Sequence, residues 1–257
     1  MSTMKVRLSG TLAEITIDSP PANALSSHIL KDLSHELDQI ENNKEIKGIL
    51  LKGEGRFFSA GADIKEFTSF QDSSGSGHLA KDGQELFNRI ENFHIPVIAV
   101  IHGAALGGGL ELAMSCHIRY VSENAKLGLP ELNLGIIPGF AGTQRLPRYV
   151  GTAKAYEMIL TGTPITGKDA VQCGLANASF PEDTLFEEAK KRMSQMVSKS
   201  GPSIHQIMKL IPYAHTTQLK EGMEQEAKAF GEIFANEDAL EGVQAFIEKR
   251  KPVFKDQ

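Results

Sequence analysis

The chain of 257 residues contains no tryptophan, two cysteines and few features of a membrane or secreted protein. Cys116 and Cys173 are too far apart for a CxxC motif, and a single pair makes no disulfide framework, so we expect a reducing compartment. No apolar run approaches the ~18 residues of a membrane span, and the amino terminus lacks the apolar core of a secretory signal. The cytoplasm is therefore the expected location, with no membrane partner.

The chain also lacks a large excess of positive charge. The net charge is −5, and the longest basic run is the short segment 249–251. A protein that binds nucleic acid or an anionic membrane surface usually carries an excess of lysine and arginine. The composition therefore argues against both partners. A chain of this length buries roughly 70–75% of its unfolded surface, which is enough for a core without disulfides or metals.

Familiar catalytic motifs fail when they are tested residue by residue. Gly103 and Gly108 have the spacing of a phosphate-binding loop, but Gly109 stands where that loop needs its lysine. His35-Glu36 is followed at the zinc-ligand position by Gln39, and no GxSxG motif occurs. We therefore expect no nucleotide cofactor, no metal and no serine nucleophile of that type.

The apolar pattern of the first 110 residues predicts alternating strands and helices. Alternating residues on both sides of Ser9-Gly10 predict a β-hairpin. A helical repeat follows from Ser26 or Ser27, which are good N-caps, up to Asn42-Asn43. The segments "IKGILLKG" and "PVIAVIHG" are typical of buried strands. Together they predict a mixed α/β core.

Beyond this core, one segment predicts a loop and the rest predicts helices. Residues 68–78, "TSFQDSSGSGH", are polar and glycine-rich, which favours a mobile loop. After Pro181 the pattern becomes helical, and the apolar stripes of the later helices need a partner surface. We place a boundary near residue 200, which separates a catalytic region 1–200 from a helical region 201–257. The predicted helices cover 185–196, 202–211, a long segment around 219–234 and a last one around 240–247.

Two stretches of backbone with few side-chain atoms favour an anion site. Three glycines, 107–109, lie between the strand "PVIAVIHG" and a helical run whose first charged residue is Glu111. The first N–H groups of a helix have no internal acceptor, and glycine lets a ligand reach them. Close helix packing explains the same glycines equally well. A second small-residue loop, Ser59 to Ala62, follows another predicted strand, and the two loops together favour an oxyanion hole.

Four segments resemble the enoyl-CoA hydratase (crotonase) family in order and spacing: "FFSAGADIKEF", "HGAALGGGLELAMSC", "LGLPELNLGIIPGFAGTQRLPRYVG" and "AFIEKRKPVFKDQ". The likeness extends over nearly the whole chain. It implies a crotonase-like spiral of ββα units and a helical carboxyl-terminal region that mediates trimerisation, with trimers often paired into hexamers. It also implies an acyl-CoA thioester as the substrate, and no cofactor beyond the CoA that the substrate carries.

The resemblance assigns roles to individual residues. It places the oxyanion-hole N–H groups at Ala60 and Gly108, and the two catalytic carboxylates at Glu111 and Glu131. Taken alone, Glu111 is typical of a carboxylate in the first turns of a helix and Glu131 of an ordinary loop residue. Many relatives lack one of the two acids, so their joint presence favours hydration.

Substrate-binding residues are implied in the same way. The resemblance implies CoA contacts along Ala60, Gly61, Ala62 and Asp63, at Gly108, and at Phe246 and Lys249 of the last helix. Lys249 is expected to reach the nucleotide, often from a neighbouring subunit. Two positions depart from the family pattern: Ala22 replaces a frequent basic residue, and Ala141 replaces a frequent glycine, a change expected to be mild.

The expected chemistry is reversible syn addition of water to a trans-2-enoyl-CoA. Glu131 would protonate the α-carbon, Glu111 would orient the water, and the oxyanion hole would stabilise the enolate. Two alternatives stay open. A delta3-delta2-enoyl-CoA isomerase or another crotonase-type lyase would use the same oxyanion hole with different proton transfers. An RNA-binding homologue is the more remote alternative, which the negative charge disfavours.

Overall fold

The predicted hairpin opens the chain and forms one edge of a six-stranded sheet. Strand β1 (Met4–Ser9) pairs antiparallel with β2 (Leu12–Ile17), and Ser9 lies opposite Leu12. The computed structural model describes residues 3–63, 66, 73–215 and 218–256. From β2 onward, neighbouring strands of this sheet are parallel. The sheet order is β1, β2, β3 (Gly48–Gly53), β4 (Val97–Ile101), β6 (Ile118–Ser122) and β9 (Ala178–Phe180).

A smaller sheet lies beside the first and carries the segments that lead into the helices. Its three strands are β5 (Ala104–Leu106), β7 (Lys126–Gly128) and β8 (Ile165–Thr166). Strand β5 pairs parallel with β7, which pairs antiparallel with β8. Strands β4 and β6 are each followed by one of these short strands, and each short strand is followed by a helical segment. This repeated order matches the ββα units that the family resemblance implies.

Helices cover both faces of the larger sheet. Helix α1 begins after Ser26, whose side chain accepts a hydrogen bond from the Ile29 N–H, as its N-cap position predicts. The described helices up to residue 200 are α1 (Ser27–Glu41), α2 (Ser73–Glu91), α3 (Gly108–Ser115), α4 (Gly142–Val150), α5 (Thr152–Thr161), α6 (Gly167–Gln172) and α7 (Glu182–Val197).

Two apolar clusters account for the packing. The larger cluster joins one face of the sheet to α1, α2 and α3. The smaller one covers the other face, where Leu185, Ala189 and Met193 of α7 pack on Leu50 and Ile98 of the central strands. Central strands buried on both faces are apolar at nearly every position, because no side of such a strand meets water. This explains why "PVIAVIHG" shows no alternation.

The predicted loop at 68–78 is wrong in its second half. Residues 73–78 form the beginning of α2, which continues to Glu91. Residues 68–72 lie outside the described part of the chain. The apolar positions of α2 begin at Leu79, so the polar residues before it gave no helical repeat from which the start could be predicted.

After residue 200 the chain is helical and exposes apolar side chains. The elements are α8 (Gly201–Leu210), a 3-10 helix (Ile211–His215), α9 (Leu219–Phe234) and α10 (Glu237–Ile247). None of the helices in the described part of the chain has the length and hydropathy of a membrane span. The exposed apolar residues of α9 and α10 are Leu219, Met223, Phe230, Phe234, Leu240, Val243, Phe246 and Ile247. That another subunit covers them stays a prediction, as does the boundary near residue 200.

Candidate active site

Three backbone segments meet where β5 and β7 end. The two strands are parallel, so their carboxyl ends lie side by side, and the Gly107 N–H donates to the Gly128 carbonyl at 2.9 Å. The segment that begins at Ser59 runs alongside β5, because Ser59 forms a parallel bridge with Ala105. Segments 59–62, 107–111 and 129–131 are therefore neighbours, although up to 72 residues separate them in the sequence.

The glycine run has a structural reason at two of its positions. Gly107 has φ 51° and ψ −128°, a backbone conformation that residues other than glycine rarely adopt. A Cβ atom at Gly107 would lie 3.0 Å from Glu131 Oε1, and one at Gly109 would lie 2.5 Å from the Ser59 carbonyl oxygen. Gly109 thus serves close packing, whereas Gly107 lets the chain turn beside a carboxylate. The packing interpretation is therefore confirmed at Gly109, and the anion site stays a prediction.

Glu111 lies on the first turn of α3 and is almost completely buried, with 1% of its surface exposed. Its Oε1 atom accepts hydrogen bonds from the N–H groups of Phe140 at 2.9 Å and Gly142 at 2.6 Å. Between these two donors, Ala141 holds the left-handed conformation with φ 72°. Burial, and next the neighbouring Glu131 charge, raise the pKa of Glu111 to about 7, although the two N–H groups act in the opposite direction.

Glu131 is the first residue of a 3-10 helix (Glu131–Leu134) that follows β7 after Leu129 and Pro130. Its Oε1 faces Gly107, and its Oε2 is inaccessible to solvent with no hydrogen-bond partner among the described residues. Burial raises the pKa of this carboxyl. A buried carboxylate oxygen without a donor favours the protonated form of the acid. Ionisation is therefore disfavoured at both neighbouring carboxyls, although a hydrogen bond from the Glu131 backbone N–H acts against burial at Glu131.

The geometry corrects the predicted oxyanion hole at one residue. The N–H of Ala60 donates to the Ala22 carbonyl at 2.9 Å, so it is not available to a ligand. Two residues later, the Ala62 N–H has no acceptor among the described residues, and neither has the Gly108 N–H. A Cβ atom at Gly108 would lie 3.4 Å from the Ala62 nitrogen. The pair of open donors is therefore Ala62 and Gly108.

Sequence alone did not separate Ala60 from Ala62, because both are small residues of the same loop. The two N–H groups differ because residues 60–63 form backbone hydrogen bonds with residues 22–25 on the side away from Gly108. The Leu25 N–H donates to the Gly61 carbonyl and the Asp63 N–H donates to the Leu25 carbonyl. These bonds fix Gly61 and Asp63 and leave the Ala62 N–H on the side of Gly108. The register with residues 22–25 is a long-range contact that no local pattern predicts.

The predicted CoA contacts near the carboxyl terminus lie at the surface. Phe246 is 84% exposed near the end of α10. Lys249 lies two residues beyond the helix and has φ 54°, so its placement within the last helix is wrong. The next residue, Arg250, pairs with Glu241 at 2.6 Å and with Glu248 at 2.5 Å. A nucleotide contact by Lys249 stays a prediction.

The functional residues that sequence reasoning missed are those that hold Glu111. Phe140 and Gly142 supply its two hydrogen bonds, and Arg145 donates from Nη1 to the Phe140 carbonyl at 2.8 Å. The "PGFAGTQRL" segment contains all three, but the residue type at positions 140 and 142 does not reveal that their backbone N–H groups are donors.

A cavity of about 1080 Å³ lies elsewhere, between β6, α7 and α8, and none of the predicted site residues lines it.

Comparison with known proteins gives matches over the whole chain. The family model described as enoyl-CoA hydratase/isomerase matches residues 7–257. A probable enoyl-CoA hydratase of Bacillus subtilis (strain 168) is 55% identical over 259 aligned positions, covering 100% of both chains. A short-chain-enoyl-CoA hydratase of Clostridium acetobutylicum is 40% identical, covering 94% of this chain and 93% of the relative. The crystal structure of an enoyl-CoA hydratase from Bacillus anthracis superposes with a TM-score of 0.94 at 34% identity, covering 99% and 100% of the two chains.

Proposed function

The chain belongs to the enoyl-CoA hydratase/isomerase family, and we propose that it is an enoyl-CoA hydratase of fatty-acid β-oxidation. The proposed reaction is reversible syn addition of water to a trans-2-enoyl-CoA to give a 3-hydroxyacyl-CoA. The observation that carries the proposal is the pair Glu111 and Glu131, two carboxyls with raised pKa values beside the open N–H groups of Ala62 and Gly108.

The reaction needs three things from the protein. A proton must reach the α-carbon, a hydroxyl must reach the β-carbon, and the enolate oxygen on the thioester carbonyl must be stabilised. Two backbone N–H donors supply the third requirement, and one such donor typically contributes about 10²–10³ in rate. Two carboxyls that share one water supply the first two. This chemistry needs no metal and no redox cofactor.

The surroundings of the two carboxyls support different roles. We assign Glu111 as the base, because its Oε1 is held by two N–H donors, which stabilise the ionised form and fix the carboxylate plane. Glu131 is the acid, because its buried Oε2 has no donor among the described residues. When Glu131 holds the proton, its repulsion of the Glu111 charge disappears, so the pair shares one proton and titrates as a unit.

Substrate and subunit contacts are proposed with the same reaction. We place the thioester carbonyl against Ala62 and Gly108, with Gly61 and Asp63 beside the CoA moiety, and the nucleotide against Lys249 and Phe246. Lys249→Ala should then raise KM for the CoA substrate, and a pantetheine thioester without the nucleotide should show no such change. Equal impairment with both substrates would contradict the contact.

A homotrimer or a pair of trimers would cover the apolar residues of α9 and α10. Light scattering at micromolar concentration tests this assembly, and a strict monomer would contradict it. The proposed compartment is the cytoplasm, since Cys116 and Cys173 are free thiols.

A spectrophotometric assay tests the proposed activity. Crotonyl-CoA and longer trans-2-enoyl-CoAs lose the absorbance of the conjugated thioester when water adds. We expect rapid loss with the purified protein and a large reduction in the Glu131→Gln variant, which keeps the size of the side chain. No loss with any chain length, together with conversion of a 3-enoyl-CoA into the conjugated isomer, would replace the proposal by the isomerase. RNA binding without turnover, in a gel-shift at physiological salt, would contradict both enzymes.

A further inference from the structure

The turn that holds Glu111 rests on one face of helix α2. Gln84 Nε2 donates to the Gly139 carbonyl at 2.8 Å. The Phe87 ring packs edge-on against the Phe140 ring, with centroids 5.3 Å apart. Asn88 and Glu91, one turn further along, contact the side chain of Arg145. Positions 84, 87, 88 and 91 repeat at the spacing of a single helix face, so α2 forms a platform beneath residues 139–145.

Arg145 connects this platform to the turn. The residue is 2% exposed, and three of its nitrogens donate hydrogen bonds. Nε donates to Glu91 Oε2 at 2.9 Å, Nη2 to Asn88 Oδ1 at 2.6 Å and Nη1 to the Phe140 carbonyl at 2.8 Å. The guanidinium group is planar and rigid, so partners bound to its different nitrogens are fixed relative to one another. The peptide unit between Phe140 and Ala141 is thus tied to α2 through Arg145, and it lies between the units that carry the Phe140 and Gly142 N–H groups.

We infer that Arg145 is a positioning residue for Glu111. By holding the Phe140 carbonyl, it keeps the N–H groups of Phe140 and Gly142 directed at Glu111 Oε1, from which they are 2.9 Å and 2.6 Å away. The inference rests on the proposed function, in which Glu111 is the base. The guanidinium charge acts in the same sense, since it favours the ionised carboxylate and lowers the pKa of Glu111 against the effect of burial.

Arg148 offers a matched control in the same helix. Its Nη1 donates to Glu91 Oε1 at 3.0 Å, so it shares an acidic partner with Arg145. Its side chain is 45% exposed, whereas that of Arg145 is 3% exposed. Arg148→Gln therefore removes a similar charge and an ion pair with Glu91 but leaves the Phe140 contact in place. In Arg145→Gln, Glu91 keeps Arg148 as its partner.

The kinetic test compares three variants. In Arg145→Gln we expect kcat to fall about 10- to 100-fold with little change in KM, because a displaced base loses alignment rather than substrate binding. The acidic limb of the pH–kcat profile should move upward, by about 0.5 unit, less than a directly paired arginine produces. Arg145→Lys keeps the charge, so its kcat should fall while the limb stays. Arg148→Gln should match the wild type in both.

Titration of the Glu111 carboxyl by ¹³C NMR makes the test independent of turnover. Glu111→Gln identifies the signal, and we expect its titration to move upward in Arg145→Gln and to stay unchanged in Arg148→Gln. Coinciding titrations and equal kcat values in these two variants would overturn the inference. If Arg145→Gln does not fold, Asn88→Ala removes one of the three anchors, and an unchanged kcat in it would overturn the inference. Absence of hydration by the wild type would instead refute the proposed function, and the titration would still report on Arg145.

Discussion

Helix α3 and the 3-10 helix at Glu131–Leu134 each place one carboxyl at the same site, but the burial and the hydrogen bonding of the two carboxyls differ. Glu111 follows a strand and a tight glycine turn, lies 1% exposed, and receives two backbone hydrogen bonds. Glu131 follows a neighbouring strand, remains partly exposed, and has one buried oxygen with no partner in the described chain. Desolvation raises the pKa of both carboxyls.

The difference supports the two separate roles that we propose for these identical side chains. Donors that favour the charged form suit a base, and an oxygen without donors suits an acid. The two environments arise because β5 and β7 are parallel and end at the same edge. An α-helix follows β5, and a 3-10 helix follows β7. The residue type, glutamate at both positions, does not reveal this difference.

Removing either carboxylate should have the largest effect. Glu111→Gln and Glu131→Gln should each lower kcat by about 10²–10⁴-fold, the range of a general acid or base. Because the two groups act as a unit, the double variant should lose much less than the product of the two reductions. Steady-state hydration kinetics measure all three. If the reduction in kcat of the double variant equals the product of the two single reductions, the two residues act independently, and the proposed sharing of one proton would be contradicted.

The start of α3 offers the next test. Gly108 is the first residue of the helix, where proline is tolerated because the N–H has no intrahelical acceptor. Gly108→Pro should lower kcat by about 10²–10³-fold through loss of an oxyanion donor. Gly108→Ala retains the N–H and adds a Cβ that would lie 3.0 Å from the Phe140 ring. If the alanine variant loses as much as the proline variant, crowding rather than the N–H explains the loss.

A pair of glycines sharpens the contrast around Glu131. Gly107→Ala places a Cβ 3.0 Å from Glu131 Oε1, whereas Gly135, at the end of the same 3-10 helix, has no atom within 4 Å of an added Cβ. Both have positive φ, so both substitutions should lower Tm. In addition, Gly107→Ala should lower kcat about 10-fold, because the acid is displaced. A comparable reduction of kcat in Gly135→Ala would show that backbone strain, and not displacement of Glu131, causes the effect.

The smallest expected effect is on stability. Burial and the neighbouring Glu131 charge raise the pKa of Glu111 from its ordinary value of 4.5 to about 7, so between these values the folded carboxyl pair holds a proton that the unfolded chain releases. The free energy of unfolding from this group therefore falls as the pH rises through that interval. Glu111→Gln should raise Tm more at about pH 8 than at about pH 5. The exposed Glu187→Gln serves as the control, and equal gains at both pH values would contradict the shift.

The sequence predicted the parts of the fold that leave a local pattern. The hairpin at Ser9-Gly10, the N-cap at Ser26 and the two buried strands are confirmed, because turn residues, caps and apolar runs act over a few neighbours. The start of α2 was missed because residues 73–78 carry no apolar repeat. The mixed α/β class followed from the alternation of these elements.

The candidate site was predictable only in part, for a related reason. Glu111, Glu131 and Gly108 stand out through the resemblance and the bare backbone around them. The choice of Ala60 failed because the hydrogen bond from its N–H to Ala22 depends on a long-range register. Phe140 and Gly142 were not predicted because they act through backbone N–H groups, and Arg145 was not predicted because its guanidinium binds a backbone carbonyl of the same turn.

The central claim is that Glu111 and Glu131 act on one water from one side of the substrate. The most direct measurement is the stereochemistry of crotonyl-CoA hydration in deuterated water, read from the proton couplings of the 3-hydroxybutyryl product by NMR. Both carboxyls project from the same edge of the parallel pair β5 and β7, so we predict that deuterium at the α-carbon and hydroxyl at the β-carbon add to the same face. Anti addition, or a mixture of the two diastereomers, would contradict the account.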